Sequence, residues 1–411
     1  MIYVLGLGFV GLTTAVGLSY KGHKVIGVDS NKEITKNLLN KKIHFHEPYL
    51  KNYLEKVLKK KSLSIQNKID FENKENYFFV CVGTPSKYNG SVDLSIIENV
   101  VKNIIKNIKN KNINSKNYII IKSTVVPGTL ESLEKKNFKI KNVYFASNPE
   151  FLREGIAWKD FILPDKIVIG SKNKAVQNKI RGIYKKFNSK FIFLSDKASE
   201  FLKYLSNTAL ANMISFSNEM LMIAEKNNIT EIKKVFRGFH ADKRWAGNPA
   251  GMSNYFYPGI GFGGYCLPKD LNALIQFTKT KKINAKILNS INSTNKDIFK
   301  YQLDKIIKNT NKNSKIYLLG MSFKPFSDDL RESVALKFAK KLDNFGYKNL
   351  TVCDPMCVKQ LKGKFKNIKK IISMPKVEKD SIYILLTAWP EYLEFIKINN
   401  HLSIFDFRYT A

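Results

Sequence analysis

Arginine is scarce in this 411-residue chain, although the chain is strongly basic. Arginines stand only at 153, 181, 237, 244, 331 and 408, so nearly all of the formal net charge of +35 is lysine spread along the whole length. Lysine travels with asparagine and isoleucine, as in 109–114. No dense basic block is interleaved with aromatics, which argues against nucleic acid as the primary partner. The charge can still steer an anionic small substrate. Cysteine is also scarce. Cys81, Cys266, Cys353 and Cys357 are too few for a disulfide framework, and the last two lack CxxC spacing. No metal site is expected, and a reducing, cytoplasmic setting is the default. Long uncharged runs are missing beyond Ile2–Tyr20. That stretch has no basic residues before it and no cleavage-like end, so it is not expected to be a signal or membrane segment. Short-period repeats are absent too. The length suggests two or three domains, and the hydrophobic content of 44% is ordinary for a globular protein.

The uncharged start has a better account. Ile2–Leu5 reads as a strand entering Gly6-Leu7-Gly8-Phe9-Val10-Gly11, a GxGxxG turn, with apolar residues continuing at helical spacing to Gly22. A second strand, 24–28, ends at Asp29. In that setting the first glycine permits the turn, the second admits a pyrophosphate to the helix N-terminus, and the third lets helix pack on strand. Asp29 would accept from a ribose 2′-OH and repel a 2′-phosphate, which favours NAD over NADP.

Helices are expected around 32–39, 49–60 and 93–108, and strands at 77–82, 118–121, 143–146, 166–170 and 191–194. Strand ends carry polar residues suited to ligands: Gly83-Thr84-Pro85, Lys122-Ser123-Thr124, and 148–155, where Glu150 and Glu154 flank Arg153 in a polar cluster. From 198 to 226 the chain is continuously helical. Lys203 and Asn207 share a face there, and Ala209, Met213, Phe216, Met220 and Ile223 form an apolar stripe suited to packing or a dimer contact. More helix runs to about 308. A second α/β unit follows, with strands at 315–320, 349–353, 382–386 and 402–407 and a helix at 334–345.

Gly261-Phe262-Gly263-Gly264-Tyr265-Cys266-Leu267-Pro268-Lys269-Asp270 concentrates chemistry. Its glycines would let backbone approach a ligand, and the neighbouring Lys269 would favour the reactive thiolate of Cys266.

The ordered set of motifs resembles the UDP-glucose/GDP-mannose dehydrogenase family over essentially the whole chain. It comprises the GxGxxG turn, 83–85, 122–124, 148–154, Lys203 and Asn207, 261–270, and Phe323-Lys324-Pro325 with Asp328-Asp329-Leu330-Arg331-Glu332-Ser333. The resemblance implies an α/β protein with an N-terminal Rossmann-type NAD-binding domain (1–197). A central long-helix dimerisation region (198–308) carries the catalytic cysteine, and a C-terminal Rossmann-like nucleotide-sugar-binding domain (309–411) follows. It implies a four-electron oxidation of a sugar C6 alcohol to a carboxylate through a Cys266 thiohemiacetal and thioester, with UDP-glucose the leading substrate. GDP-mannose or a UDP-N-acetylhexosamine is the alternative, and a non-catalytic nucleotide- or RNA-binding protein on the same scaffold a distant one.

The resemblance also implies roles. Lys203 and Asn207 would face charge on the C6 oxygen, while Asp270, Thr124 and Glu150 would serve the proton transfers. Gly6, Gly8, Val10, Gly11, Asp29, Lys32, Thr84, Thr124, Glu154 and Arg331 would meet NAD. Glu150, Phe151, Leu152, Arg153, Lys203, Asn207, Gly263 and Lys324 would meet the sugar nucleotide, with Tyr257 and with Arg244 from the partner of a homodimer. Two departures stand out: Tyr265 replaces a serine common before the cysteine, and the loop from Arg244 to Gly261 is longer than in compact relatives.

Overall fold

The computed structural model describes all residues except 138–139, 141, 243–257, 281, 369 and 409–411. The chain forms two compact units, Met1–Ser206 and Asn207–Ala411, and the division falls inside one long helix.

In the first unit, β1 (Ile2–Leu5), α1 (Phe9–Tyr20) and β2 (Val25–Val28) open the chain as the glycine spacing predicts. Then come α2 (Lys32–Leu39), α3 (Leu50–Lys59), β3 (Leu63–Gln66), β4 (Asn76–Val80), α4 (Ser95–Asn110), β5 (Asn117–Ile121), α5 (Thr129–Asn137), β6 (Val143–Ser147), α6 (Ala157–Ile162), β7 (Lys166–Gly170), α7 (Lys174–Ile183) and β8 (Lys190–Leu194). The sheet order is β3-β2-β1-β4-β5-β6-β7-β8, parallel except where β7 meets β6. Alternation sorts the core. Ile2, Val4, Phe79 and Ile120 face α1, α3, α6 and α7, while Tyr3, Leu5, Phe78 and Ile119 face α4 and α5. Both faces are covered, which is why β5 reads as a nearly continuous apolar run.

The long helix α8 (Asp196–Lys226) enters the second unit, followed by α9 (Ile232–Ala241), α10 (Cys266–Thr280) and α11 (Lys286–Asn309). Ala211, Leu271, Ile275 and Ile291 join α8, α10 and α11 in one apolar cluster. The apolar stripe expected on α8 runs over buried and exposed positions among the described residues, and the Ile223 side chain lies outside them. Met213 is buried, but Phe201, Leu205, Ala209 and Phe216 lie along an exposed line. Then follow β9 (Lys315–Leu319), α12 (Val334–Asn344), β10 (Asn349–Cys353), α13 (Val358–Leu361), β11 (Lys370–Ile372), β12 (Ile382–Leu385), α14 (Pro390–Ile398) and β13 (Ser403–Asp406). This sheet is all parallel in the order β11-β10-β9-β12-β13.

The strand order around β9 repeats that around β1, and so does the turn. Gly6 and Gly320 both have φ +85°, and each N–H donates at 2.8 Å to the last residue of the neighbouring strand, Val28 or Cys353. The acids after those strands differ. Asp29 is half-buried and accepts one backbone N–H on each oxygen, from Leu7 at 2.7 Å and Asn31 at 2.9 Å. Asp354 is buried and accepts four, from Met321, Ser322, Met356 and Cys357. The second turn is thus sealed by its own aspartate, while the first keeps carboxylate lone pairs for a ligand.

Candidate active site

The glycine turn divides its work. A Cβ on Gly6 would stand 2.9 Å from Val82 Cγ1, and one on Gly11 1.7 Å from the Gly6 carbonyl oxygen, so packing requires both glycines. A Cβ on Gly8 would meet nothing within 4 Å. Gly8 is the N-cap of α1, which has no capping side chain and no acid in its first turn. An open helix N-terminus beside Asp29 fits a pyrophosphate and its ribose. Gly6, Gly8, Asp29, Ser30 and Gly83 line one pocket there. Lys32 opens α2 under the Asn31 cap, Val10 packs on the core, and Thr84 is buried. Cys81 is core, as its place in an apolar run suggests, and burial pushes its thiol up to about 12. Thr124 lies half-buried after β5, on a loop held by the Ser123 hydroxyl, which donates to the Val82 carbonyl at 2.6 Å.

After β6 the chain turns through 148–155. Lys203 Nζ lies 3.0 Å from Glu150 Oε1, and both side chains are buried. The second Glu150 oxygen accepts from the Leu152 N–H at 2.6 Å. The Phe151 ring has Lys166 at 4.5 Å and Lys203 at 5.3 Å from its centroid, a cation–π pairing. The expected cluster around Arg153 is different in detail. Its guanidinium forks onto Asp160 at 2.7 and 3.0 Å, while Glu150 turns to Lys203 and Glu154 is half-buried.

In the second unit Cys266 is an exposed thiol and the first residue of α10. The amides of a helix's first turn lack intrahelical acceptors and favour a thiolate. The Lys269 charge expected to assist is committed elsewhere. Lys269 pairs with Asp270, and both are buried. Asp270 Oδ2 accepts from Asn207 Nδ2 at 2.5 Å, which joins α10 to α8. The glycines before Cys266 also have another reason than ligand approach. A Cβ on Gly261 would strike Asn295, one on Gly263 the Glu332 carbonyl, and one on Gly264 the Phe323 ring. They let the turn pack against α11 and the segment after β9. Asn295 holds Phe262 by both its backbone groups, at 2.7 and 3.0 Å. Arg331 forks onto Asp329 and lies 4.5 Å from the Tyr265 ring centroid, and Lys324 lies 5.5 Å from that of Phe323.

Arg244 and Tyr257 lie outside the described residues. The sequence places Lys122 and Asn148 in strand-end motifs without giving either a role, and it offers nothing for Glu200. A lysine directly after the apolar run 118–121 is the signal that would have pointed to a buried role for Lys122. Among the described residues no three His, Cys, Asp or Glu side chains converge as a metal site needs, and no helix is long and apolar enough to cross a membrane.

Open glycine turn, acid-tipped second strand and a second, sealed Rossmann-like unit together define an NAD-dependent dehydrogenase built on two nucleotide-type folds. The chain belongs to the UDP-glucose/GDP-mannose dehydrogenase family of nucleotide-sugar dehydrogenases. Residues 1–188 match its NAD binding domain, 197–297 its central domain and 317–410 its UDP binding domain. The chain is 35% identical to UDP-glucose 6-dehydrogenase of Rickettsia felis, over 98% of this chain and 89% of that one. It is 34% identical to GDP-mannose 6-dehydrogenase of Pseudomonas syringae, over 86% and 80%. Among solved structures, a UDP-glucose dehydrogenase from Pyrobaculum islandicum aligns with a TM-score of 0.87 at 31% identity, covering 100% of this chain and 94% of that one.

Proposed function

We propose that this chain oxidises UDP-glucose at C6 to UDP-glucuronate through a covalent thioester on Cys266. The observation that carries this is Cys266 itself: an exposed thiol opening α10, one turn from the buried Lys269–Asp270–Asn207 chain of polar contacts. A simple alcohol dehydrogenase has no use for a sulfur nucleophile. An oxidation that passes through an acyl level does, because a thioester accepts water readily.

When bound, NAD⁺ accepts one hydride in each of the two oxidations. The Cys266 thiolate adds to the C6 aldehyde, forming a C–S bond while the carbonyl oxygen takes a proton. Loss of hydride from that carbon and of the proton from its oxygen leaves the thioester. Water then adds, the thiolate leaves and the carboxylate is released. Lys203 and Asn207 face the charge that develops on the C6 oxygen, where one such donor is typically worth roughly 10²–10³ in rate. Asp270, Thr124 and Glu150 hold the water and move its protons. Glu154, Arg331 and the glycine turn serve NAD. Phe151, Leu152, Arg153, Gly263, Lys324, Arg244 and Tyr257 serve the sugar nucleotide.

The same reading divides the chain at 1–197, 198–308 and 309–411. It assigns the exposed line of Phe201, Leu205 and Phe216 on α8 to a homodimer contact. Four cysteine thiols without a disulfide suit a reducing cytoplasm.

The test is NADH formation by the purified protein with UDP-glucose, GDP-mannose and UDP-N-acetylhexosamines. UDP-glucose should give about two NADH per sugar acid, as a thioester route demands. Faster turnover of another sugar would reassign the substrate. Silence across the panel with salt-sensitive RNA binding would replace the enzyme by a binding protein on the same scaffold.

A further inference from the structure

We infer that Lys122 is a positioning residue for the sugar end of this reaction: its buried amine fixes Asn148 and, through it, the turn that carries Glu150, Phe151 and Leu152. The inference rests on the nucleotide-sugar reading above.

Every residue of β5 is buried, and the next residue is a lysine only 5% exposed. A buried ammonium is costly unless it is paired or hydrogen-bonded. Among the described residues no carboxylate pairs with it. Its two acceptors both belong to Asn148, the side-chain oxygen at 3.1 Å and the carbonyl at 3.4 Å. Asn148 is pinned on every other side as well. Its side-chain oxygen also accepts from the Tyr184 hydroxyl at 2.6 Å, its amide nitrogen donates to the Val168 carbonyl at 2.7 Å, and its backbone N–H donates to the Ile121 carbonyl at 2.9 Å. Of these partners only Lys122 carries a titratable cation. Two residues on, Glu150 meets Lys203.

Lys122, Asn148, Glu150, Phe151, Leu152 and Tyr184 line one cavity of about 160 Å³. The groups facing Lys122 are Cys81 at the end of β4, Glu150 on the turn and Lys203 on α8, with Tyr184 at the end of α7 reaching it through Asn148. Glu150 pairs with Lys203 and leaves Lys122 as a surplus positive charge, which suits a substrate oxygen that becomes anionic. Burial, the largest influence, and then Lys203 draw the Lys122 ammonium below the ordinary lysine value of 10.5, while Cys81 and Glu150 oppose them.

The experiment compares wild type, Lys122→Met and Lys122→Arg across pH. The methionine variant should lose roughly 10- to 100-fold in kcat/KM for UDP-glucose, the cost of a misplaced turn. Its affinity for NAD⁺, read by calorimetric titration, should be unchanged. Arginine keeps the charge without titrating in this range, so it should restore much of kcat at neutral pH. It should also remove the alkaline limb expected of wild type below pH 10.5. Wild-type kinetics in Lys122→Met, or an intact alkaline limb in Lys122→Arg, would overturn the inference. Absence of NADH with every nucleotide sugar would instead overturn the function, and the inference then stands or falls on stability. A folded-state pKa below the unfolded one adds stability as pH rises. The denaturation midpoint of wild type should therefore gain on that of Lys122→Met between neutral pH and 10.5. A constant gap across that window removes the buried ammonium and the inference with it.

Discussion

Lys203 Nζ reaches Glu150 Oε1 across 3.0 Å with both side chains buried. In a buried pair of this kind each charge compensates the other. Lys203→Ala should therefore cost about 3–5 kcal/mol in urea denaturation, because it strands a buried carboxylate. Glu150→Ala should cost a similar amount for the opposite reason. The double variant should be more stable than the two losses added together predict. Strict additivity in that cycle would mean the pair carries no coupling. Activity should fall in all three variants.

The four cysteines should separate by reactivity. Cys81, Cys353 and Cys357 are buried, and burial raises each thiol, Cys81 to about 12. Cys266 is exposed at a helix N-terminus. Brief iodoacetamide treatment followed by peptide mapping should label Cys266 ahead of the other three, and loss of NADH production should track that labelling. Cys266→Ser should keep the fold and stop turnover. Activity that survives full alkylation would remove the thioester route.

Strands and helices with strong periodicity were legible from sequence because burial on both faces leaves an apolar run, as at 118–121, and because α2 and β10 carry clean ends. β3 and β11 were not, being short edge strands of mixed polarity, nor were α5, a short helix rich in charge, and α7, which follows and precedes loops rich in lysine and asparagine. For the site, motif spacing identified Lys203, Asn207, Glu150 and Asp270 as candidates, but spacing says nothing of partners. Lys269 turned out to serve Asp270, and Arg153 to serve Asp160, a residue seven positions on. Partnerships of that kind depend on which faces the tertiary fold brings together.

Gly8 and Gly11 stand three residues apart and should respond oppositely to a methyl group. A Cβ on Gly11 would lie 1.7 Å from the Gly6 carbonyl oxygen, so Gly11→Ala must move the turn and should lower the thermal midpoint clearly. A Cβ on Gly8 would meet nothing, and its φ of −69° suits any residue. Gly8→Ala should leave the midpoint unchanged and still weaken NAD⁺ binding in a calorimetric titration, because the methyl occupies the approach a pyrophosphate needs. Unchanged NAD⁺ affinity in Gly8→Ala would mean the pyrophosphate does not use that helix N-terminus.

Glu200 ties the loop after β5 to α8. One oxygen accepts from the Gly128 N–H at 2.6 Å and the other from the Leu130 N–H at 2.8 Å, with the side chain buried three residues before Lys203. Burial, the leading cause, raises its pKa from 4.5 to about 7, with Asp196 adding to it and the two N–H groups and Lys197 opposing. Because the folded state holds this proton more tightly than the unfolded one, the associated stability is present below pH 4.5 and is lost as pH rises through about 7. A shift of that size corresponds to stability on the order of 3 kcal/mol. Glu200→Gln cannot titrate. Its stability relative to wild type should therefore rise between pH 4.5 and 7.5, on top of a constant cost of about 1–3 kcal/mol for offering one acceptor to two backbone donors. Denaturant midpoints of the two proteins across that range supply the check, and parallel curves would mean Glu200 does not titrate there. Because the loop it anchors carries Thr124 and the helix carries Lys203, the same substitution should lower kcat at pH 8, where wild-type Glu200 is ionised and grips both amides.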